Sequence, residues 1–213
     1  MRTDQPQLEL VMLNYDLTVE QLDCVIDQPS TQWSDTQFSG VCVPPFWVKK
    51  VRRDLPEDYY VSVAIGYPAG YQLTEDKICQ IEGALKHGAD QIALVLNLSA
   101  YKSGLTWVKI ELAKCAQLAH EHEKLFNVIL PCAYLNEAEL LALVALCKDT
   151  GVDGVIFELN SPEPPASSIM QLTASSMDAV LYGPFGSMEI RSEPPFDHIQ
   201  TIGITNYQSL IPT

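Results

Sequence analysis

The sequence predicts an α/β fold, a (β/α)₈ TIM barrel, and three features of its 213 residues lead to that prediction. Strand-like apolar runs alternate with helix-like segments along the chain, which is the pattern of βα units around a parallel sheet. A hydrophobic content of 47% is enough for one sizeable core, and the length suits a single barrel domain spanning residues 1–213. Residues 91–96 are continuously apolar in their middle, as expected of a strand buried on both faces.

The first half of the chain supplies four strands and three helices. Strands are predicted at residues 8–13, 40–43, 60–65 and 91–96, and helices at 19–27, at 47–54 and from Thr74 onward. Pro44 and Pro45 end the second strand and place a proline near the start of the second helix. Thr74 is predicted to cap the third helix. The first turn of that helix carries Glu75 and Asp76, whose charges suit the positive end of a helix dipole.

The second half continues the alternation but becomes rich in proline. Strands are predicted at residues 125–130, 154–158, 179–182 and 199–202, with one helix over 105–122. Another helix begins at a capping box formed by Asn136 and Glu139 and ends near Thr150. Too few residues lie between Ser187 and Phe196 for a full helix, so the outer helices are predicted to be reduced near the C-terminus. An incomplete outer ring exposes apolar surface, which favours a homo-oligomer.

Four short motifs occur in a fixed order along the chain. They read V-C-V-P-P at 41–45, A-I-G-Y-P-A-G at 64–70, V-L-N-L-S-A-Y-K-S-G at 95–104 and G-V-D-G-V at 151–155. Together they resemble the deoxyribose-phosphate aldolase family, whose motifs include V-C-V-x-P, I-G-F-P-x-G and G-A-D-F-V. The resemblance runs over residues 40–158 with few gaps. It implies a barrel with its chemistry at the carboxyl ends of the strands.

The chain departs from the family at the positions that carry the reaction. The resemblance puts Ile156 at the Schiff-base lysine, Ala93 at the acidic proton relay and Gly183 at the second lysine. After Lys148 the chain contains no lysine, and Arg191 is the one arginine there. No nearby lysine can therefore replace the missing nucleophile. Attack on an aldehyde needs an amine nitrogen. The resemblance therefore predicts an aldolase scaffold without Schiff-base aldolase activity.

The resemblance also indicates where a pocket lies. It assigns the pocket to Cys42, Ala93, Asn97, Ile156, Tyr182 and Gly183. A role in small-molecule binding, in regulation or in structure then remains for the protein. Of the loops that cradle phosphate in the family, only Gly186 and Ser187 survive, and Glu189 replaces a cation. Phosphate binding is therefore predicted to be weak.

A different function is an alternative interpretation of the same residues. The chain would then be a lyase or isomerase of another mechanism, using Lys102, Glu158, Asn97 or Tyr182 at the C-terminal face of the barrel. Lys102 follows the fourth strand and is the lysine with the best reach. The other lysines are predicted on outer helices or, for Lys124, at the opposite face. Whether polar or apolar side chains fill the pocket distinguishes the two interpretations.

Composition excludes several classes of partner. A net charge of −14 argues against nucleic acids and anionic membranes. No segment approaches the roughly 20 apolar residues of a membrane span. Six cysteines without a CxxC motif predict reduced thiols and a cytoplasmic protein. No metal site and no cofactor are predicted, because no P-loop, nucleotide motif or His cluster occurs and His120 and His122 are poorly spaced for one metal.

Overall fold

Eight parallel strands close into a barrel, so the predicted (β/α)₈ fold is confirmed. The computed structural model describes residues 7–27, 38–159, 169, 173, 176–183 and 201–205, with Phe38, Ile202 and Ile204 described by their backbones only. Each strand pairs with the next, and β8 returns to pair with β1. The strands are β1 Gln7–Val11, β2 Phe38–Val43, β3 Tyr60–Ile65, β4 Gln91–Val95, β5 Leu125–Pro131, β6 Gly154–Glu158, β7 Asp178–Gly183 and β8 Thr201–Ile204.

Helices alternate with these strands on the outside of the barrel. They are α1 Val19–Asp27, α2 Val48–Asp54, α3 Thr74–Lys86, α4 Leu98–Lys102, α5 Trp107–Glu121 and α6 Glu137–Asp149, with 3-10 turns at Pro45–Trp47 and Cys132–Tyr134. Ile169 and Thr173 are also helical and lie between β6 and β7. The predicted reduction of the outer helices concerns mainly residues 184–200, which lie outside the described residues.

The start of α3 differs from its prediction, whereas the start of α6 agrees. Leu73 occupies the N-cap position of α3, so the prediction of Thr74 as the cap was wrong. Thr74 is the first helical residue, and its hydroxyl donates to Glu111 Oε2 at 2.9 Å. In α6, the Asn136 side chain accepts from the Glu139 backbone N–H, and the Glu139 carboxylate accepts from the Asn136 N–H. The capping box is confirmed.

Two other boundaries also move. Residues after β4 form two helices, α4 and α5, where one helix over 105–122 was predicted. The short α4 begins at Asn97, whose side chain accepts a hydrogen bond from the backbone N–H of Ala100 at 3.1 Å. Strand β8 extends to Ile204, two residues past its predicted end, and pairs with both β7 and β1.

The core consists of two clusters of buried side chains on opposite faces of the strands. One lies between the sheet and the helices. The other fills the barrel and contains Val11, Leu13, Cys42, Ala64, Ala93, Val95, Ile129, Ile156, Val180 and Tyr182. Alternate residues along a strand point to opposite faces, which explains why strands β1 to β7 each contribute to both clusters.

An ion pair is buried among the outer helices. Lys77 of α3 was predicted on the outer ring, yet its side chain is completely buried. Its Nζ lies 2.7 Å from Glu111 Oε1 of α5 and 3.4 Å from the carbonyl oxygen of Val95. The pair ties α3 and α5 to the carboxyl end of β4.

Candidate functional site

Of the two cavities described below, the larger lies over the carboxyl ends of β3 to β6 and has a volume of about 620 Å³. The loops after β3, β4 and β5 form most of its wall, and the last residue of β6 forms the rest. Its lining comprises Tyr67, Pro68, Ala69, Tyr71, Leu96, Leu98, Ser99, Lys102, Pro131, Ala133, Tyr134 and Glu158. The cavity therefore occupies the end of the barrel where such folds place their chemistry.

Lys102 lines the larger cavity from α4. Its Nζ donates to the carbonyl oxygen of Tyr134 at 2.7 Å and lies 3.3 Å from Glu139 Oε1. The Tyr134 carbonyl and the Glu139 carboxylate together hold this nitrogen at the rim of the cavity. In this arrangement Lys102 supplies a positive charge at the rim and is poorly suited to nucleophilic attack.

Glu158 lines the same cavity from the end of β6. Burial raises the pKa of its carboxyl above the ordinary value, and a hydrogen bond from Tyr67 opposes that shift. Burial, followed by the charge of Glu158, raises the pKa of the Tyr67 hydroxyl. A carboxyl with a raised pKa is suited to exchange protons with a ligand.

Ile156 lies deeper in the barrel, two residues before Glu158 on the same strand. Its side chain is 1% exposed. It pairs in register with Ile129 and Val180, and Ala93 belongs to the same buried cluster. Apolar atoms therefore occupy the positions that the sequence resemblance assigns to the Schiff-base lysine and the proton relay.

The other residues assigned to a pocket lie elsewhere. Cys42 and Tyr182 are buried inside the barrel, and burial raises the pKa of the Cys42 thiol. Gly183 is buried at the end of β7, beside Ile204. The Asn97 side chain caps α4 and also accepts from the Ser99 hydroxyl at 3.0 Å. Among the described lining residues of the larger cavity, none of these four appears.

Gly186 and Ser187, the predicted phosphate-binding residues, lie outside the described residues, as does Glu189. The six cysteines are all free, with Cys42, Cys115 and Cys147 buried and Cys79 exposed.

A buried carboxyl inside the barrel was not foreseen from the sequence. Glu9 of β1 is 2% exposed, and its Oε2 accepts a hydrogen bond from the Tyr182 hydroxyl at 2.5 Å. Within the described part of the chain, neither Glu9 Oε1 nor the buried Ser62 hydroxyl has a hydrogen-bond partner. Burial raises the pKa of Glu9 to about 7. The signal in the sequence is an acidic residue in the middle of the apolar strand Q-L-E-L-V.

The smaller cavity, of about 270 Å³, lies over the ends of β1 to β3. It is lined by Leu13, Asn14, Tyr15, Leu17, Pro44, Pro45, Trp47, Ala64, Gly66, Tyr67, Gln72 and Gln80. Tyr67 lines both cavities.

The described residues also bear on metal binding and on membrane insertion. No group of three or more His, Cys, Asp or Glu side chains there is arranged to hold a metal ion. None of the described helices combines the length and the apolar character required to cross a bilayer.

No family model matches the chain, but individual aldolases do. It is 36% identical over 122 residues to a deoxyribose-phosphate aldolase of Thermococcus gammatolerans, a match that covers 55% of this chain and 54% of that protein. The chain thus spans about half the length of that relative. A deoxyribose-phosphate aldolase of Shouchella clausii is 30% identical over 158 residues, which cover 73% of this chain and 69% of that protein.

Several solved structures have the same fold as this chain. An aldolase named QR15 has a TM-score of 0.77 at 23% identity, covering 92% of this chain and 89% of that one. The tetrameric deoxyribose phosphate aldolase of Aeropyrum pernix has a TM-score of 0.79 at 19% identity, covering 96% and 87%. These structures share the barrel, and the Shouchella clausii match extends over most of both sequences. The chain belongs to the deoxyribose-phosphate aldolase family.

Proposed function

We propose that this family member binds a small molecule in the larger cavity and does not form a Schiff base with it. The observation that carries the proposal is the buried apolar layer around Ile156, which is 1% exposed and lies against Ile129 and Val180. An isoleucine cannot form an imine, and the described side chains packed around it include no amine. The protonated imine that serves as the electron sink in such cleavage is then unavailable.

Lys102 is a poor substitute for the missing nucleophile. Its ammonium is bonded to the Tyr134 carbonyl and lies beside Glu139 at the rim of the cavity. Both contacts hold the nitrogen away from the interior of the barrel. The side chain is also 43% exposed, whereas Ile156 is 1% exposed.

The lining supports reversible binding. Leu96, Leu98 and Pro131 offer apolar contact, whereas Lys102 and Glu158 offer opposite charges. Small-molecule sites are typically apolar concave surfaces with a few polar groups that orient the ligand. A small organic molecule with separate apolar and polar parts suits this lining, and the function would be binding or regulation.

Covalent trapping tests the proposal. With borohydride and either deoxyribose 5-phosphate or acetaldehyde, mass spectrometry should find no stoichiometric adduct on this chain, because no amine lies at the depth of Ile156. The Thermococcus gammatolerans aldolase, treated identically, is the positive control. A stoichiometric adduct that disappears in Lys102→Met would overturn the proposal and identify Lys102 as the nucleophile.

A second candidate is a lyase or isomerase that uses acid–base chemistry. The observation in its favour is the half-buried Glu158 carboxyl at the cavity, whose pKa is raised by burial against the opposing effect of the Tyr67 hydroxyl. Conversion of a metabolite by the wild type, lost in Glu158→Gln with the fold intact, would support this function over simple binding.

Self-association is also proposed. Trp107 and Ile110 on α5 are 58% and 54% exposed, and such apolar side chains favour an interface. The tetrameric relative from Aeropyrum pernix is consistent with it. Light scattering at micromolar concentration should give an oligomer, and Ile110→Asp should reduce its mass. Lys109→Asp on the same helix is the matched control, and a monomeric wild type contradicts the proposal.

A further inference from the structure

The smaller cavity has polar groups of one chemical kind. Three carboxamides line it, from Asn14 after β1, Gln72 after β3 and Gln80 in α3. Among its described lining residues there is no Lys, Arg, His, Asp or Glu. The described lining is therefore uncharged, although the chain as a whole carries a net charge of −14.

The carboxamides are free to bind a ligand. Within the described residues, none of the side chains of Asn14, Gln72 and Gln80 makes a hydrogen bond, although the Asn14 backbone accepts one from Leu17 at 3.3 Å. Gln72 Oε1 lies over Gly66, only 3.1 Å from where a Cβ would stand. Each carboxamide offers both donors and an acceptor. Asn14 and Gln80 are half-buried, so a ligand that bonds them replaces only part of their hydration.

Flat and rigid surfaces complete the cavity. Tyr15, Trp47 and Tyr67 supply aromatic rings, and Pro44 and Pro45 fix the course of the backbone after β2. Aromatic faces favour offset stacking with a planar ring. A volume of about 270 Å³ lies just below the usual range for drug-sized ligands and suits a single ring with a small substituent.

We propose that the smaller cavity binds a neutral planar ring that bears a carboxamide or lactam group. The ring stacks on the aromatic wall, and its amide edge exchanges hydrogen bonds with Asn14, Gln72 and Gln80. A carboxylate ligand finds no cation among the described lining residues and is repelled by the acidic chain. A cationic ligand finds no carboxylate there. The site is independent of whether the larger cavity binds or transforms its own ligand.

Nicotinamide and nicotinate form a matched pair for the test, because they share a ring and differ in an amide and a carboxylate. In titrations followed by protein NMR, nicotinamide should shift the resonances of the Asn14, Gln72 and Gln80 side-chain amides. Nicotinate should bind weaker by about tenfold or more, since it loses the amide donors and carries a charge. Uracil, a lactam, should compete with nicotinamide.

Substitutions in each cavity test whether nicotinamide binds in the smaller one. Gln80→Leu should weaken the binding of nicotinamide by about tenfold, because one hydrogen bond is lost and a polar group of the ligand is left unpaired. Tyr134→Phe, which changes only the larger cavity, should leave the affinity unchanged. If Gln80→Leu loses its fold by circular dichroism, the exposed Gln72→Leu takes its place. Equal affinity for nicotinate, shifts confined to residues of the larger cavity, or no binding of nicotinamide and uracil at millimolar concentration would each overturn the proposal.

Discussion

Replacing Lys77 by methionine should lower the free energy of unfolding by about 3–5 kcal/mol, because it leaves the Glu111 carboxylate buried without its cation. The two side chains are 0% and 7% exposed, and their charged atoms are 2.7 Å apart. Methionine keeps most of the apolar length of lysine, so the loss is mainly electrostatic. Urea unfolding of the wild type and the variant at neutral pH measures the difference.

Two further variants separate the ion pair from general damage. The double variant Lys77→Met/Glu111→Leu should recover most of the lost stability, because apolar side chains of similar volume can replace a buried pair. Recovery remains incomplete because the Thr74 hydroxyl loses its acceptor. Lys50→Met, which breaks partly exposed pairs with Asp23 and Asp54, should cost only about 1 kcal/mol or less for each pair. A Lys77→Met variant as stable as Lys50→Met would contradict a buried pair.

The substitution Glu9→Gln should stabilise the protein at alkaline pH and remove part of its pH dependence. The pKa of Glu9 is raised from 4.5 to about 7 in the folded protein, so the folded state holds this proton more tightly than the unfolded state. Stability therefore falls as pH rises between these two values, by about 3 kcal/mol in all. The glutamine oxygen can still accept from Tyr182 but never ionises.

Unfolding measured from acidic to alkaline pH tests this expectation. Near pH 4 the wild type and Glu9→Gln should be similar, whereas near pH 8 the variant should be more stable by roughly 2–3 kcal/mol. Tyr182→Phe is the matched comparison. It removes the hydrogen bond that favours the ionised carboxylate, so the fall in stability should extend to higher pH. A wild type and a Glu9→Gln variant with parallel pH profiles would refute the raised pKa.

Local patterns in the sequence were sufficient for the barrel. Residues 60–65 and 154–158 are strands as predicted, and the capping box of Asn136 and Glu139 forms. These features depend on residues close together in the chain. Thr74 fails as a cap because its hydroxyl reaches Glu111, which lies 37 residues away on another helix. Rules that consider only residues close together in the sequence cannot identify Glu111 as the partner of Thr74.

The candidate sites depend even more on distant neighbours. Lys102 and Glu158 were recognisable as residues of loops and strand ends at one face, and both line the larger cavity. The buried carboxyl of Glu9 depends on Tyr182, 173 residues away. The smaller cavity depends on how loops after three strands approach one another, which spacing along the sequence does not specify.

The barrel can close only after its last strand has been synthesised. Strand β1 is hydrogen-bonded to β2 on one side and to β8 on the other, with Leu8 opposite Ile202. A ribosome releases β1 early, but residues 201–204 must be made before its second edge finds a partner. Throughout that interval the nascent chain presents an unpaired apolar strand, the kind of surface on which chains aggregate. Until β8 has been made, this edge of β1 is a surface that a chaperone could cover.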